Sequence, residues 1–268
     1  MAAMTQPRPA PFDALAESYD RIFTDSLIGR AQRAATWRHL DSTFLPGQRV
    51  LELNCGTGVD ALHLAERNVR VDAYDASSAM ISVANRRLAA GRRLPVRFEV
   101  LATEELGTID SVYEGAFSNF GGLNCVQDLQ QVARDLARLV RPLGHVVLCL
   151  ASRFCLWETA WWLAHGNPAK AFRRLRNGGT TAELSPGSVL HVQYPPVHEL
   201  RRLFAPEFSL LAVHGIGLFV PPSYVEPHAR RFPKLLRAAA LLDARLSSLP
   251  GLRSLADHVL LTFRRVPQ

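Results

Sequence analysis

Between residues 50 and 61 the chain reads Val50-Leu51-Glu52-Leu53-Asn54-Cys55-Gly56-Thr57-Gly58-Val59-Asp60-Ala61. An apolar run of strand length carries an acid near its tip and turns through two glycines into helical spacing. Glycine reaches positive φ at little cost and leaves the backbone open to a ligand. The first turn of the following helix offers free N–H groups. A second apolar run ends at Asp75, 17 residues after Gly58. A carboxylate there can accept hydrogen bonds from both hydroxyls of a ribose. Strand, glycine turn, helix, strand, acid is the order of a nucleoside-binding unit.

The surrounding pattern repeats that alternation. Apolar runs predict strands at 49–53, 69–74, 96–101, 112–117 and 145–151. Helical spacing predicts helices over 12–45, 58–67, 78–90 and 126–140, the last with Asn124 and Gln127 as a capping pair. Strands alternating with helices imply an α/β chain, a Rossmann-like doubly wound sheet covered on both faces. After residue 151 the rhythm changes. Three of the four tryptophans (Trp157, Trp161, Trp162), an Arg-rich helix near 169–176 and a Gly/Ser/Pro loop at 177–188 follow, then a short strand at 189–194 and a helix at 197–204. Strand-like segments at 208–219 and 258–264 flank a helix at 232–246. The expected organisation is a nucleoside-binding core over 12–151, a lid or substrate insert over 152–205, and the last core strands over 206–268 with a helical insert at 222–250.

Composition narrows the partners. The 268 residues are 48% hydrophobic and 21% charged, enough for one large domain or a domain with an insert. The net charge is +7. Only Lys170 and Lys234 are lysines, and the arginines are spread over the whole chain, which reads as a solvated surface rather than a track for phosphates. Cys55, Cys125, Cys149 and Cys155 form no CxxC pair and no zinc-type spacing, so free thiols, a reducing cytoplasm and no metal are expected. Residues 1–11, rich in Ala and Pro, read as a loose arm without the apolar core of a signal peptide. No run of 18 uncharged apolar residues predicts a transmembrane helix. Residues 232–249 form an amphipathic basic helix, whose apolar stripe either packs on the insert or a second subunit or rests on a membrane surface. A homo-oligomer and a peripheral membrane contact both stay open.

The segment 52–61 resembles motif I of class I S-adenosylmethionine (SAM)-dependent methyltransferases. Tyr74-Asp75-Ala76-Ser77-Ser78-Ala79-Met80 resembles the segment that follows motif I. Leu139-Val140-Arg141-Pro142-Leu143-Gly144-His145 resembles the turn before the fifth strand. Phe12-Asp13, Ala16, Tyr19-Asp20, Gly29 and Arg33 are similar to the family's N-terminal helix. The resemblance covers roughly residues 12–151, and the final strand also fits. It implies a seven-stranded sheet whose last strand is antiparallel, and SAM as cofactor with S-adenosylhomocysteine as product. By position, Glu52 would sit near the methionyl ammonium, with Asn54, Gly56 and Gly58 along its backbone and carboxylate. Asp75 would hold the ribose, Ala76 and Met80 would flank the adenine, and Thr103 and Glu104 would cover its polar edge. Ser118 and Asn119 would lie by the sulfonium, Tyr19 would close over the cofactor, and Arg33 would hold the carboxylate. The chain departs from the family pattern at Asn54, where glycine is usual, at Ala102-Thr103-Glu104, where an acid usually ends strand three, and at Pro142-Leu143-Gly144 in place of Pro-Gly-Gly.

The tip of strand four reads Ser118-Asn119-Phe120-Gly121-Gly122-Leu123-Asn124. Methyltransferases of nucleobases and amide nitrogens tend to carry an Asn/Asp-Pro-Pro-Tyr/Phe motif there. Pro221-Pro222-Ser223-Tyr224 lies after the sixth strand and does not count, so a nucleic-acid partner is not expected. The expected acceptor is a small hydrophobic molecule, a natural product or lipid-like, methylated at O or N. The insert carries Trp157, Glu158, Trp161, Arg174, His191, Tyr194 and His198, and the later segment Tyr224 and His228, as aromatic and titratable candidates. Among them His191 is the expected general base. Two alternatives remain: a SAM-binding partner protein with weak catalysis, and an NAD(P)-dependent oxidoreductase. The second rests on Gly56-x-Gly58-x-x-Ala61, which also fits the dinucleotide fingerprint. Glu52 weighs against a pyrophosphate there, because like charges repel.

Overall fold

The computed structural model describes residues 10–185 and 188–267. Nine strands occur among them: β1 Arg49–Leu53, β2 Arg70–Asp75, β3 Val96–Val100, β4 Tyr113–Ser118, β5 Val140–Ala151, β6 Thr180–Ser185, β7 Ser188–Val192, β8 Phe208–Ile216 and β9 His258–Arg265. Seven of these form one sheet in the order β3-β2-β1-β4-β5-β9-β8. The pairings from β3 through β5 are parallel, whereas β9 runs antiparallel to both β5 and β8. The strand order reverses between β1 and β4, which opens a crevice at their carboxyl ends.

The helices are α1 Ala16–Tyr19, α2 Leu27–Thr43, α3 Val59–Glu66, α4 Ser78–Ala90, α5 Leu129–Leu139, α6 Leu156–Ala164, α7 Pro168–Ala171, α8 Val197–Phe204, α9 Glu226–Arg231 and α10 Pro233–Leu246. Strand alternation sends Leu51 and Leu53 to the core that contains Leu136, Leu139, Leu200 and Phe204. Val50 faces the opposite core with Leu40, Ala61 and Leu64. Glu52 shares the parity of Val50, so its carboxyl points toward α2 and α3 rather than α5. α8, which the sequence puts at the end of the insert, buries Leu200 and Phe204 in the first of these cores.

Several elements differ from the expected ones. The helix expected over 12–45 breaks at Ser26, whose backbone is extended and whose hydroxyl caps α2 by accepting from the Gly29 N–H. Before that break the chain makes a five-residue π-helical turn, Asp20–Thr24. The helix expected from 126 starts at Leu129. Asp128 caps it, and Asn124 and Gln127 do not. The loop expected at 177–188 contains β6, which pairs antiparallel with β7 as a hairpin outside the main sheet. Of the Arg-rich helix near 169–176, only α7 and a 3-10 turn at Arg173–Leu175 form. Of the arm expected over 1–11, residues 1–9 lie outside the described residues.

Candidate active site

The turn after β1 is built on three left-handed residues, Asn54 (φ 56°), Gly56 (φ 54°) and Gly58 (φ 76°). Asparagine tolerates this region better than other side chains, so Asn54 adopts the backbone that glycine supplies elsewhere. Its amide donates to Thr103 Oγ1 at 3.0 Å and its carbonyl accepts from Ser118 Oγ at 3.2 Å. One side chain thus ties together the tips of β1 and β4 and the turn after β3. The two glycines have different roles. A Cβ on Gly56 would meet nothing within 4 Å, whereas one on Gly58 would lie 2.5 Å from Phe98 Cζ. Gly56 leaves room for a ligand, and Gly58 lets α3 pack against the sheet.

Asp75 closes the turn. Its carboxylate accepts from Gly56 N–H at 2.9 Å and Ser77 N–H at 2.8 Å. Burial raises its pKa against the pull of these two donors. Asp13 reaches the same corner, accepting from Ser77 Oγ at 2.5 Å and Ala10 N–H at 2.8 Å. The N-terminal segment is thereby folded over the cleft.

The cleft has a volume of about 310 Å³. Of the residues expected at a cofactor, Tyr19, Asn54, Gly56, Asp75, Ala76, Met80, Thr103, Glu104 and Asn119 line it. Glu52, Gly58, Ser118 and Arg33 lie behind this lining. Arg33 does not present a free guanidinium. It pairs with Asp60 at 2.6 Å, and Asp60 also accepts from Asn119 Nδ2 at 3.0 Å and Trp37 Nε1 at 2.6 Å. Glu52 is fully buried, and its Oε2 has no hydrogen-bond partner. Burial, then Asp60, raises its pKa well above the ordinary carboxyl value, while Arg33 opposes the shift.

Sequence reasoning missed the other lining residues, among them Phe12, Ser77, Phe120, Gly121, Gly122, Cys125, Val126 and Leu190. Phe120 has φ 53°, a costly conformation for an aromatic residue. Its ring is held against Phe23 and His258 with centroids 5.1 and 5.6 Å away, and the Arg33 guanidinium lies 4.9 Å from it. Gly122 is required by Asn54, because a Cβ there would lie 2.3 Å from Asn54 Cβ. Leu190 comes from the β6–β7 hairpin. The end of that hairpin is anchored by Asn124, which is buried and donates to the carbonyls of Gln193 at 2.6 Å and Ala151 at 3.2 Å. Asn119-Phe120 followed by two glycines at a strand tip was the available signal for this region.

The candidate general base is not at the cleft. His191 neighbours Leu190 in β7 and so faces the other way, into a separate depression with Lys170, Arg173 and Thr181. The other insert candidates are also absent from the lining. Glu158 and Arg174 form a buried ion pair at 2.7 Å, and Arg174 reaches Asp257 at 2.7 Å. Trp161 stacks among His165, Tyr224 and His228. Two titratable side chains border the cleft near Phe120. Burial raises the Tyr19 hydroxyl above its usual value and pushes the Cys125 thiol up to about 11, so both stay protonated at neutral pH.

The sheet order, the antiparallel β9 and the glycine turn opposite Asp75 are those of the class I methyltransferase fold. A family model described as a methyltransferase domain matches residues 50–144. The demethylmenaquinone methyltransferase of Clavibacter sepedonicus is 33% identical over 142 residues, 52% of this chain and 56% of that protein. The ubiquinone biosynthesis O-methyltransferase of Alkalilimnicola ehrlichii is 33% identical over 109 residues, 41% of this chain and 44% of that protein. The matched stretch thus spans about half the length of these curated relatives. Among solved structures, the DhpI complex with S-adenosylhomocysteine superposes with a TM-score of 0.61 at 20% identity, covering 96% of this chain and 94% of that one. At that identity the likeness is one of fold.

Proposed function

We propose that this chain is a SAM-dependent methyltransferase that transfers a methyl group to a small hydrophobic acceptor. The observation that carries the reading is the pairing of an open Gly56 with Asp75 at the β1–β2 corner, in a sheet where β9, the last strand in the chain, is antiparallel. The residues suit the cofactor. Asp75, fixed by two backbone donors, has the chemistry to accept from ribose hydroxyls, and Ala76 and Met80 offer apolar contact for adenine. Thr103 and Glu104 stand beside them. The partnerless Glu52 Oε2 is suited to an ammonium reached directly or through water. The dinucleotide alternative is disfavoured by strand order, since dinucleotide-binding sheets run parallel through their last strand. The names of the relatives support an acceptor of quinone type.

When bound, SAM supplies a methyl group activated by its sulfonium. The chain itself positions and shields. Asn54 and Asn119 order the strand tips, Phe12 and Tyr19 cover the cleft, and Phe120, Val126 and Leu190 give it an apolar wall. With Tyr19 and Cys125 both protonated, the reading favours an acceptor that brings its own lone pair or is already ionised, with the protein contributing orientation. We assign the β6–β7 hairpin, which brings Leu190 to the cleft, to acceptor enclosure, and the cytoplasm as the working compartment.

Calorimetric titration with SAM, S-adenosylhomocysteine and NADH tests the reading. Binding of the first two and not the third is expected, followed by methylation within a panel of quinols, phenols and amines. Binding of NADH alone would overturn it. Tight SAM binding with no transfer to any acceptor would favour the partner-protein alternative.

Glu52 gives a sharper signature. Its raised pKa means that a bound ammonium would draw the proton off, so SAM affinity rises with pH until the free carboxyl has ionised and then levels. Titrations in buffers of different ionisation heat should show proton release that Glu52→Gln abolishes. The loss of a charged partner should weaken SAM binding about 10- to 100-fold. The ligand-free stability should move the other way. A carboxyl whose folded pKa is raised favours folding while protonated and loses that contribution as pH rises, so the variant should melt higher than the parent at pH 8. Equal proton release from both proteins would remove Glu52 from this role.

A further inference from the structure

The basic helix that the sequence leaves unassigned stands out from the surface. One face of α10 is covered: Leu236 packs with Ile28 and Val220, and Asp243 turns inward to accept from the Phe219 and Val220 N–H groups at 2.7 and 3.1 Å. The opposite face is not. Leu235 is 69% exposed and Leu241 58%, and Phe232 and Leu242 are also exposed. Around them stand Arg231, Lys234, Arg237 and Arg245, all exposed and without an ion-pair partner among the described residues. The one acid of α10 is the buried Asp243, and Glu226 on α9 is engaged by Arg230 at 2.9 Å. The uncovered face therefore carries protruding apolar side chains among uncompensated cations, with no acid among them.

We propose that the α9–α10 face docks on an anionic lipid surface. A second copy is a poor occupant, because a two-fold interface would set these cations against their own equivalents. Nucleic acid would use the cations but gain nothing from projecting leucines. A bilayer interface satisfies both, since leucine and phenylalanine enter the acyl boundary while lysine and arginine meet headgroup phosphates. No helix among the described residues is long and apolar enough to cross a membrane, and the contact proposed is that of a helix lying in the interface. The proposal is independent of the cofactor reading.

Co-sedimentation of the full chain with vesicles tests it. Binding is expected to phosphatidylglycerol/phosphatidylcholine vesicles, to fall steeply between 0.1 and 0.5 M NaCl, and to be weak on pure phosphatidylcholine. The double variant Leu235→Glu/Leu242→Glu should lower the partition coefficient about tenfold or more, and Arg237→Gln/Arg245→Gln severalfold. Both should retain the parent's melting temperature and SAM affinity. Absence of binding to anionic vesicles, or double variants that bind as the parent does, would overturn the proposal. So would a concentration-dependent dimer abolished by Leu235→Glu, or tighter binding to duplex DNA than to vesicles.

Discussion

An Asp75→Asn variant is expected to bind SAM about 100-fold more weakly than the parent while keeping its fold. The carboxylate is held on Gly56 N–H and Ser77 N–H, which orient both oxygens, and its remaining lone pairs are those available to a ribose. A hydrogen bond to a charged acceptor contributes roughly 1.5–3 kcal/mol, and 1.4 kcal/mol is a factor of ten. Two such bonds lost outright would exceed 100-fold. Asparagine keeps one acceptor oxygen, so the lower end applies. Its amide must also face the Gly56 or the Ser77 N–H, donor against donor, which loosens the turn locally. Glu104→Gln, at an exposed carboxylate on the same cleft, is the matched control and should change affinity less than tenfold. Calorimetry gives both affinities, and the melting curves show whether the fold has survived. An Asp75→Asn affinity within threefold of the parent would remove the ribose from this corner and with it the main support for a nucleoside cofactor.

That this corner was legible in the sequence, and the acceptor side was not, has a physical cause. Glu52, Asn54, Gly56, Gly58 and Asp75 lie within one strand–turn–helix–strand unit, where backbone φ and strand parity follow from neighbouring residues. Even there the parity had a consequence that a motif does not display. It turns Glu52 under α3, behind the cleft lining, and leaves its Oε2 without a partner. Arg33 looked like a free cation because Asp60 stands 27 positions away, and only the packing of α2 on α3 brings them to 2.6 Å. His191 failed for the same reason that Leu190 was overlooked. The side chain that faces the cleft is decided by how the β6–β7 hairpin sits over residues 13–15, a contact between segments more than 150 residues apart. The hairpin itself was hidden by the sequence around it: Gly178, Gly179, Pro186 and Gly187 have the composition of a loop, although the residues between them pair. Asn124 was read as a cap because it stands near the start of a helix. Its amide instead joins Ala151 and Gln193, contacts that local spacing cannot reveal.

Arg174 is the case where such a distant pairing has the largest consequence for stability, and Arg174→Ala is expected to cost roughly 3 kcal/mol at pH 7.5. The guanidinium is buried and donates to Glu158 Oε2 at 2.7 and 3.0 Å, to Asp257 Oδ1 at 2.7 Å and to the Asp257 carbonyl at 2.8 Å. It thereby fastens α6 and the turn at Arg173–Leu175 to the start of β9. Burial alone would lower the pKa of Arg174, but Asp257 and Glu158 more than reverse that and hold it above its usual value. Removing it leaves two carboxylates in the interior. Neither is wholly abandoned: Glu158 retains Arg173 at 2.5 Å, and Asp257 retains Gln32 at 3.4 Å. The lower end of the range for breaking a buried pair is therefore appropriate. At about 2–4 °C per kcal/mol for a chain approaching this size, the melting temperature should fall by roughly 6–12 °C. Asp257 is held below its usual value partly by Arg174, so without that cation its buried carboxyl takes up a proton more readily, and the deficit should shrink as pH falls into the acid range. The triple variant Arg174→Met/Glu158→Gln/Asp257→Asn, which removes charge from all three positions, should recover part of the loss. A variant that melts within 2 °C of the parent at pH 7.5, with no dependence on pH, would show that α6 is held by its apolar contacts and that this ion cluster contributes little.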